Sequence, residues 1–413
     1  MICGVMCVEL IERELYMERI RPFIDDRGTV KVFTGIRRCG KSVMMELVRR
    51  ELLRRGVRDE QIVALNFESR SVPAVVSVEA AYAHVKHRAD AGERVYLFFD
   101  EVQELPEWEK LVNACQIDFD SDIYITGSNA RLLSGELATY LGGRYREIRI
   151  YPFSFAEVMD MLRLTGGKTG EREAFRAFLR FGGMPLLWRG DLPDEDRLAW
   201  LSDICDSIVL KDIAARNNVR SVDLLRRVLN FLVGHMGRLF SAASVVKYLK
   251  NERRTISAET LYNYVDYARA ACLIHTAQRE DVNGRELLKT QEKIFLADHG
   301  FREALIGGNE TNLEQTLENI VFMELLRRGW SVTIGAKGSR EIDFVARRGN
   351  ARVYVQVCYL LAAPETVARE FGALESVADN YPKYVVSLDE FDMGRNGIRH
   401  LNLRDFLLRE KLG

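Results

Sequence analysis

Gly35 to Ser42 read GIRRCGKS and match G-x-x-x-x-G-K-S/T with no deviation, a spacing suited to holding phosphate. The glycines let the backbone wrap closely, so successive N–H groups and the start of the next helix face the anion. Lys41 is placed to reach the β- and γ-phosphates, and the Ser42 hydroxyl to ligate a magnesium ion. Gly35, Ile36, Arg37, Arg38, Cys39, Gly40, Lys41, Ser42 and Val43 are therefore the expected nucleotide-binding loop. Farther along, RVYLFFDEVQEL carries an apolar run into Asp100-Glu101. Asp100 suits a carboxylate that holds hydrated magnesium, and Glu101 a base that orients and deprotonates the attacking water. DIYITGSNA ends in a polar pair, of which Asn129, with Ser128 as the alternate, is expected to sense the γ-phosphate. Arg144 follows two glycines and is expected to reach a γ-phosphate in its own or a neighbouring subunit, with an ordinary surface arginine as the competing reading.

These side chains need a frame. Lys31 to Thr34 read as a short strand and Ser42 to Leu53 as an amphipathic helix, so the loop lies on a strand–loop–helix turn. Val95 to Phe99 are continuously apolar, as in a strand of a parallel sheet covered on both faces. TGGKTGERE, residues 165–173, is a polar loop between helical segments. Helical periodicity runs from Asp203 to about Gly237, then from Ala242 to Lys250, and from Ser257, a plausible N-cap, to about Ala271. Short strands around Ile274 and from Lys293 to Leu296 flank DVNGREL. Three helices and a two-stranded wing outline a winged helix, whose third helix could enter a major groove. Lys247, Lys250, Arg253 and Arg254 cluster before that helix and Tyr262, Tyr264 and Tyr267 lie on it, a DNA-facing patch or a solvated basic turn.

The loop, FFDEVQ, ITGSNARLLSGELA, GGRYREIRIYPFSFAE and FGGMP resemble the prokaryotic AAA+-type P-loop ATPases related to the STAND clade, over roughly residues 15 to 215. The resemblance implies an α/β fold: a five-stranded parallel core of order 5-1-4-3-2 with a helical lid. It also implies ATP and Mg2+ as cofactors and places Gly182 to Pro185 close to the nucleotide. Arg37 and Arg38 fit related loops that read G-x-R-R-x-G-K.

Leu313 to Gly413 read helix, strand, strand, strand, helix, strand, an order that resembles the core of PD-(D/E)XK nucleases. Glu318 is expected to project from the first helix toward Asp343. An active member pairs such an aspartate with a second acid and a lysine around Mg2+. Here Gln356-Val357-Cys358 stands instead. Gln356 is a poor substitute for a carboxylate with a hard cation, and Cys358 cannot carry the lysine's charge. Glu318, Asp343 and Gln356 are thus expected as a vestigial nuclease site, in a restriction-endonuclease-like fold kept for binding. The ATPase family named above is often followed by such a domain with Gln-Val-Cys at this place. The expected organisation is a core over 1–152, a lid over 153–215, a winged helix over 216–305 and a nuclease-like domain over 306–413.

Composition bounds the rest. The 413 residues are 47% hydrophobic and 29% charged, ordinary for two or three globular domains. A net charge of −1 gives no global attraction to nucleic acid, so any DNA contact is a local patch. Seven scattered Cys without a CxxC pair argue for reduced thiols in a cytoplasmic setting. The start lacks a basic region before its apolar stretch, and no run suits a membrane span. Three functions are consistent with this reading: an ATP-driven switch acting on nucleic acid, an ATP-gated scaffold for a protein partner, or an ATP-dependent nuclease. A trans-acting Arg144 would require a homo-oligomer.

Overall fold

In the computed structural model the described residues are 10–69, 77–89, 92–129, 142–167, 169–282, 287–338, 340–409 and 412. The segment 130–141, which includes ARLLSGELA, and the expected wing tip at 283–286 lie outside them. The chain divides into two units, the first comprising Met1–Tyr151 with Ala270–Cys272, the second Pro152–Arg269 with Leu273–Gly413.

In the first unit β1 (Val30–Thr34), β2 (Ile62–Asn66), β3 (Val95–Asp100), β4 (Ser121–Gly127) and β5 (Tyr145–Arg149) form one sheet in the order β2-β3-β4-β1-β5. All pairs are parallel. Read from β5, the order is 5-1-4-3-2, and the class is α/β. Each strand of β1, β3 and β4 is buried along its whole length, because helices cover both faces of such a sheet. Val32, Leu65, Leu97, Phe99 and Ile125 pack with Leu111, Val112 and Cys115 of the helix Trp108–Asp118. Lys31 breaks the apolar pattern of β1. Its ammonium is wholly buried and pairs with the Asp122 carboxylate on β4, which also accepts from Tyr124 Oη at 2.8 Å.

The second unit opens with the helices Phe155–Leu164 and Glu171–Phe181. Ser154 and Glu157 cap the first reciprocally: Ser154 Oγ accepts from Glu157 N, and the Glu157 carboxylate from Ser154 N. The helical middle then runs Asp194–Ser207, a π-helical stretch Ile208–Ala215, Val222–Gly234, Ala242–Asn251 and Ala258–Ala270. Ser257 caps the last of these, its hydroxyl accepting from Thr260 N at 3.1 Å.

The two strands expected as a wing are longer than their apolar residues indicate, and they do not close a separate domain. β6 (Ile274–Asp281) and β7 (Leu287–Leu296) belong to one seven-stranded sheet with β8 (Ser331–Lys337), β9 (Arg340–Arg348), β10 (Ala351–Val357), β11 (Lys383–Ser387) and β12 (Arg399–Asn402). The order is β12-β11-β10-β9-β8-β6-β7, with β6 parallel to β8. The expected division between 305 and 306 therefore falls inside one hydrogen-bonded sheet. Glu280 pins the join: its buried carboxylate takes both arms of the Arg347 guanidinium and the Thr333 hydroxyl. The helices Leu313–Arg327 and Pro364–Glu375 complete the expected order, and β12 with the helix Leu403–Leu408 extends it. Among the described residues no helix is long and apolar enough to cross a membrane.

Candidate functional site

The polar residues of the first unit gather at the carboxyl ends of its parallel strands, where open α/β sheets bind ligands. Gly35 leaves β1 with φ of 146°, and a Cβ there would lie 2.1 Å from the Ile150 carbonyl oxygen. Arg38 and Gly40 also take positive φ, 65° and 104°. The helix Lys41–Arg54 starts immediately after, so Lys41 and Ser42 stand in its first turn. Lys41 Nζ donates to the carbonyls of Gly35 at 3.2 Å and Ile36 at 3.3 Å, and lies 3.9 Å from Glu101 Oε1. Burial pushes the Cys39 thiol up.

Asp100 ends β3. Burial raises its pKa, opposed by hydrogen bonds from the hydroxyls of Thr126 and Ser42. Its second oxygen accepts from Asn66 Nδ2, at the end of β2, at 3.0 Å. Thr126 Oγ donates to Asp100 and accepts from the Glu101 backbone N at 2.9 Å, so one hydroxyl orients both acids. Glu101 has φ of 52° and accepts from Gln103 Nε2. The Ser42 hydroxyl and the Asp100 carboxylate are hard oxygen donors one hydrogen bond apart, a pair that fits magnesium.

The structure adds supporting residues to the site and narrows the reading of Arg144. Ser128 is buried and Asn129 half-buried directly after β4, and within the strand the Thr126 hydroxyl holds the Asp100 carboxylate and the Glu101 backbone. Thr126 and Asn66 carry no motif, since each is an ordinary strand residue. Their signal is position, at the last residues of two strands flanking β3. Arg144 is exposed, and its carbonyl accepts from Val30 N at 3.0 Å. It therefore sits at the start of β1, whereas the phosphate loop begins at its end, about 15 Å away at the rise of a parallel strand. An arginine side chain does not span that distance, so Arg144 is not in its own subunit's catalytic constellation. The contacts of Gly182 and Gly183 are with the second unit's own Asp298 and Phe153. A Cβ on Gly182 would meet Asp298 Oδ1 at 1.8 Å, and Gly183 N donates to Asp298 Oδ2 at 2.7 Å.

In the second unit Glu318, Asp343 and Gln356 come together, but around a lysine. Lys293 of β7 places Nζ 3.1 Å from Glu318 Oε2 and 2.9 Å from Glu341 Oε1. Burial works against its charge, but Glu318, Asp343 and Glu341 outweigh this and raise its pKa. Gln356 is fully engaged: Oε1 accepts from Asp343 N at 3.2 Å, and Nε2 donates to Glu370 at 2.8 Å. Asp343 Oδ2 accepts from Val357 N at 2.8 Å. Lys293 thus places an ammonium among the carboxylates, and the Gln356 oxygen faces a backbone amide. Among the described residues no three His, Cys, Asp or Glu side chains form a group able to hold a metal.

Residues 27–159 match the model of an AAA domain, and residues 172–312 that of a domain of unknown function. An uncharacterized protein of Haemophilus influenzae is 37% identical over 406 residues, 98% of this chain and 100% of that protein. An uncharacterized protein of Methanocaldococcus jannaschii is 27% identical over 91% of this chain and 85% of its own length. The structure of a Walker-type ATPase of Pyrococcus abyssi aligns with a TM-score of 0.52 at 15% identity, over 72% of this chain and 96% of that one. That likeness is one of fold.

Proposed function

The chain belongs to the family of the Haemophilus influenzae protein, with an AAA domain in its first half, and from that premise we propose that it binds ATP with Mg2+ and hydrolyses it to drive a conformational switch. The observation that carries the reading is the meeting of Lys41, Asp100 and Glu101 at the ends of β1 and β3, with Thr126 fixing both acids. The loop amides and Lys41 take the β- and γ-phosphates, and Ser42 with Asp100 would hold magnesium. The ion, when bound, supplies positive charge at the β- and γ-oxygens. Glu101 receives the proton of the attacking water. Lys41→Ala is expected to weaken ATP and ADP binding at least tenfold, read by fluorescence of a labelled nucleotide. Wild-type affinity in that variant would sink the assignment.

The target of the switch is best read as nucleic acid. Lys247, Lys250, Arg253 and Arg254 are exposed in and after the helix Ala242–Asn251, although Arg254 also meets Asp223 at 3.2 Å. Tyr262, 53% exposed, offers a ring for stacking. ATP turnover stimulated by DNA, with a steep salt dependence, is the expected result. Indifference to DNA and RNA would instead favour a scaffold for a protein partner. Mg2+- or Mn2+-dependent cutting abolished by Asp343→Ala would make the protein a nuclease.

A further inference from the structure

We infer that Arg13 is a positioning residue of the nucleotide site, an outer clamp that holds the phosphate loop in its binding shape; the inference rests on the nucleotide-site reading above. Arg13 is 3% exposed and stands just before the helix Glu14–Ile20. Its backbone is left-handed, with φ of 46°, an uncommon conformation for a residue with a side chain. The guanidinium donates through one nitrogen to the Cys39 carbonyl at 3.0 Å and through the other to the Tyr151 carbonyl at 2.8 Å. It also lies 4.6 Å from the centre of the Tyr16 ring, whose hydroxyl accepts from Tyr151 N at 3.2 Å.

The consequence follows from peptide geometry. The Cys39 carbonyl and the Gly40 N–H belong to one planar trans unit, so they point in opposite directions. Holding the carbonyl on the outside of the loop turns the Gly40 N–H to the inside, where a phosphate is bound. The second arm fixes the same guanidinium to the residue after Ile150. Ile150 itself braces the loop, since its carbonyl accepts from Cys39 Sγ at 3.2 Å and lies against Gly35. Arg13 also explains the glycine at 40 beyond its φ of 104°. A Cβ there would lie 3.2 Å from the Arg13 nitrogen that holds Cys39. A lysine ammonium presents its donors from one atom and lacks the planar fork that offers two nitrogens to two separate carbonyls.

The test is nucleotide affinity of Arg13→Ala and Arg13→Lys beside wild type and Lys41→Ala, with adenosine, ADP, ATP and inorganic pyrophosphate as ligands and competitors. Arg13→Ala is expected to lose about tenfold in affinity for ADP, ATP and pyrophosphate alike and nothing for adenosine. It should raise KM by the same factor with kcat within about threefold, and Arg13→Lys should recover part of the loss. A role confined to folding would lower the melting temperature of the nucleotide-free protein and leave the KM-to-kcat split unmoved. If Lys41→Ala loses binding while Arg13→Ala binds phosphates as wild type does, the clamp is refuted and the site stands. If Lys41→Ala and wild type bind alike, the site reading falls and takes the clamp with it.

Discussion

Glu101→Gln is expected to lower ATP turnover by about a hundredfold or more, while ATP affinity stays within about threefold of wild type. The isosteric amide keeps the contacts that shape the turn. The backbone N of residue 101 still donates to Thr126 Oγ, and the left-handed φ of 52° is unchanged in kind. What disappears is the ability to accept a proton from water. Strain of this sort, an acid held at positive φ directly after a buried strand, is retained at functional sites because the surroundings over-determine it. Lys41 Nζ lies 3.9 Å from the Glu101 carboxylate. Loss of that charge leaves the ammonium freer to meet phosphate, which is why affinity should not fall. Phosphate release under saturating ATP and direct nucleotide binding measure the two halves separately. Turnover at the wild-type rate would remove Glu101 as the base.

The candidate nucleotide site was legible in the sequence to the extent that its chemistry is local. A phosphate loop must be contiguous, because its amides converge from one turn, and a strand that ends in two acids announces itself by its apolar run. The supports were not legible, since they are assembled from distant segments by parallel strand order. Thr126 and Asn66 act only because β4 and β2 flank β3. Arg13 acts only because the segment before β1 folds back under the loop. Arg144 stays out of its own subunit's site for a related reason: motif order places it near the core, but register puts it at the opposite end of β1. In the second unit the helix–strand order of residues 313–387 was readable from periodicity. The membership of β6 and β7 was not, because a hairpin looks the same whether its outer edge meets solvent or another strand.

The lysine missing from the Gln356-Val357-Cys358 strand shows the same limit, and it carries the largest expected effect on stability. Lys293→Met is expected to destabilise the folded protein by about 3 kcal/mol at neutral pH, the lower end of the cost of leaving a buried charge without its partner. The ammonium side chain is 8% exposed and sits between Glu318 and Glu341. Burial already holds the Asp343 carboxyl well above its ordinary value of 3.8, with Glu318 adding to the rise. Glu318 is likewise raised from 4.5 by burial, and Lys293 opposes that rise. Without the ammonium both carboxyls move up further. A carboxyl whose folded pKa exceeds its unfolded one binds its proton more tightly in the native state. Its contribution is complete below the unfolded value and is lost as pH climbs through the folded one. The deficit of the variant should therefore be small near pH 4.5 and grow toward pH 8, measured as the difference in urea midpoint from wild type at each pH. Adding Glu318→Gln to Lys293→Met removes one of the two facing charges and should restore part of the midpoint at pH 8 while changing little at pH 4.5. A single variant that unfolds at the wild-type midpoint across this range, or a deficit that ignores pH, would mean that the cluster is not held by its own lysine.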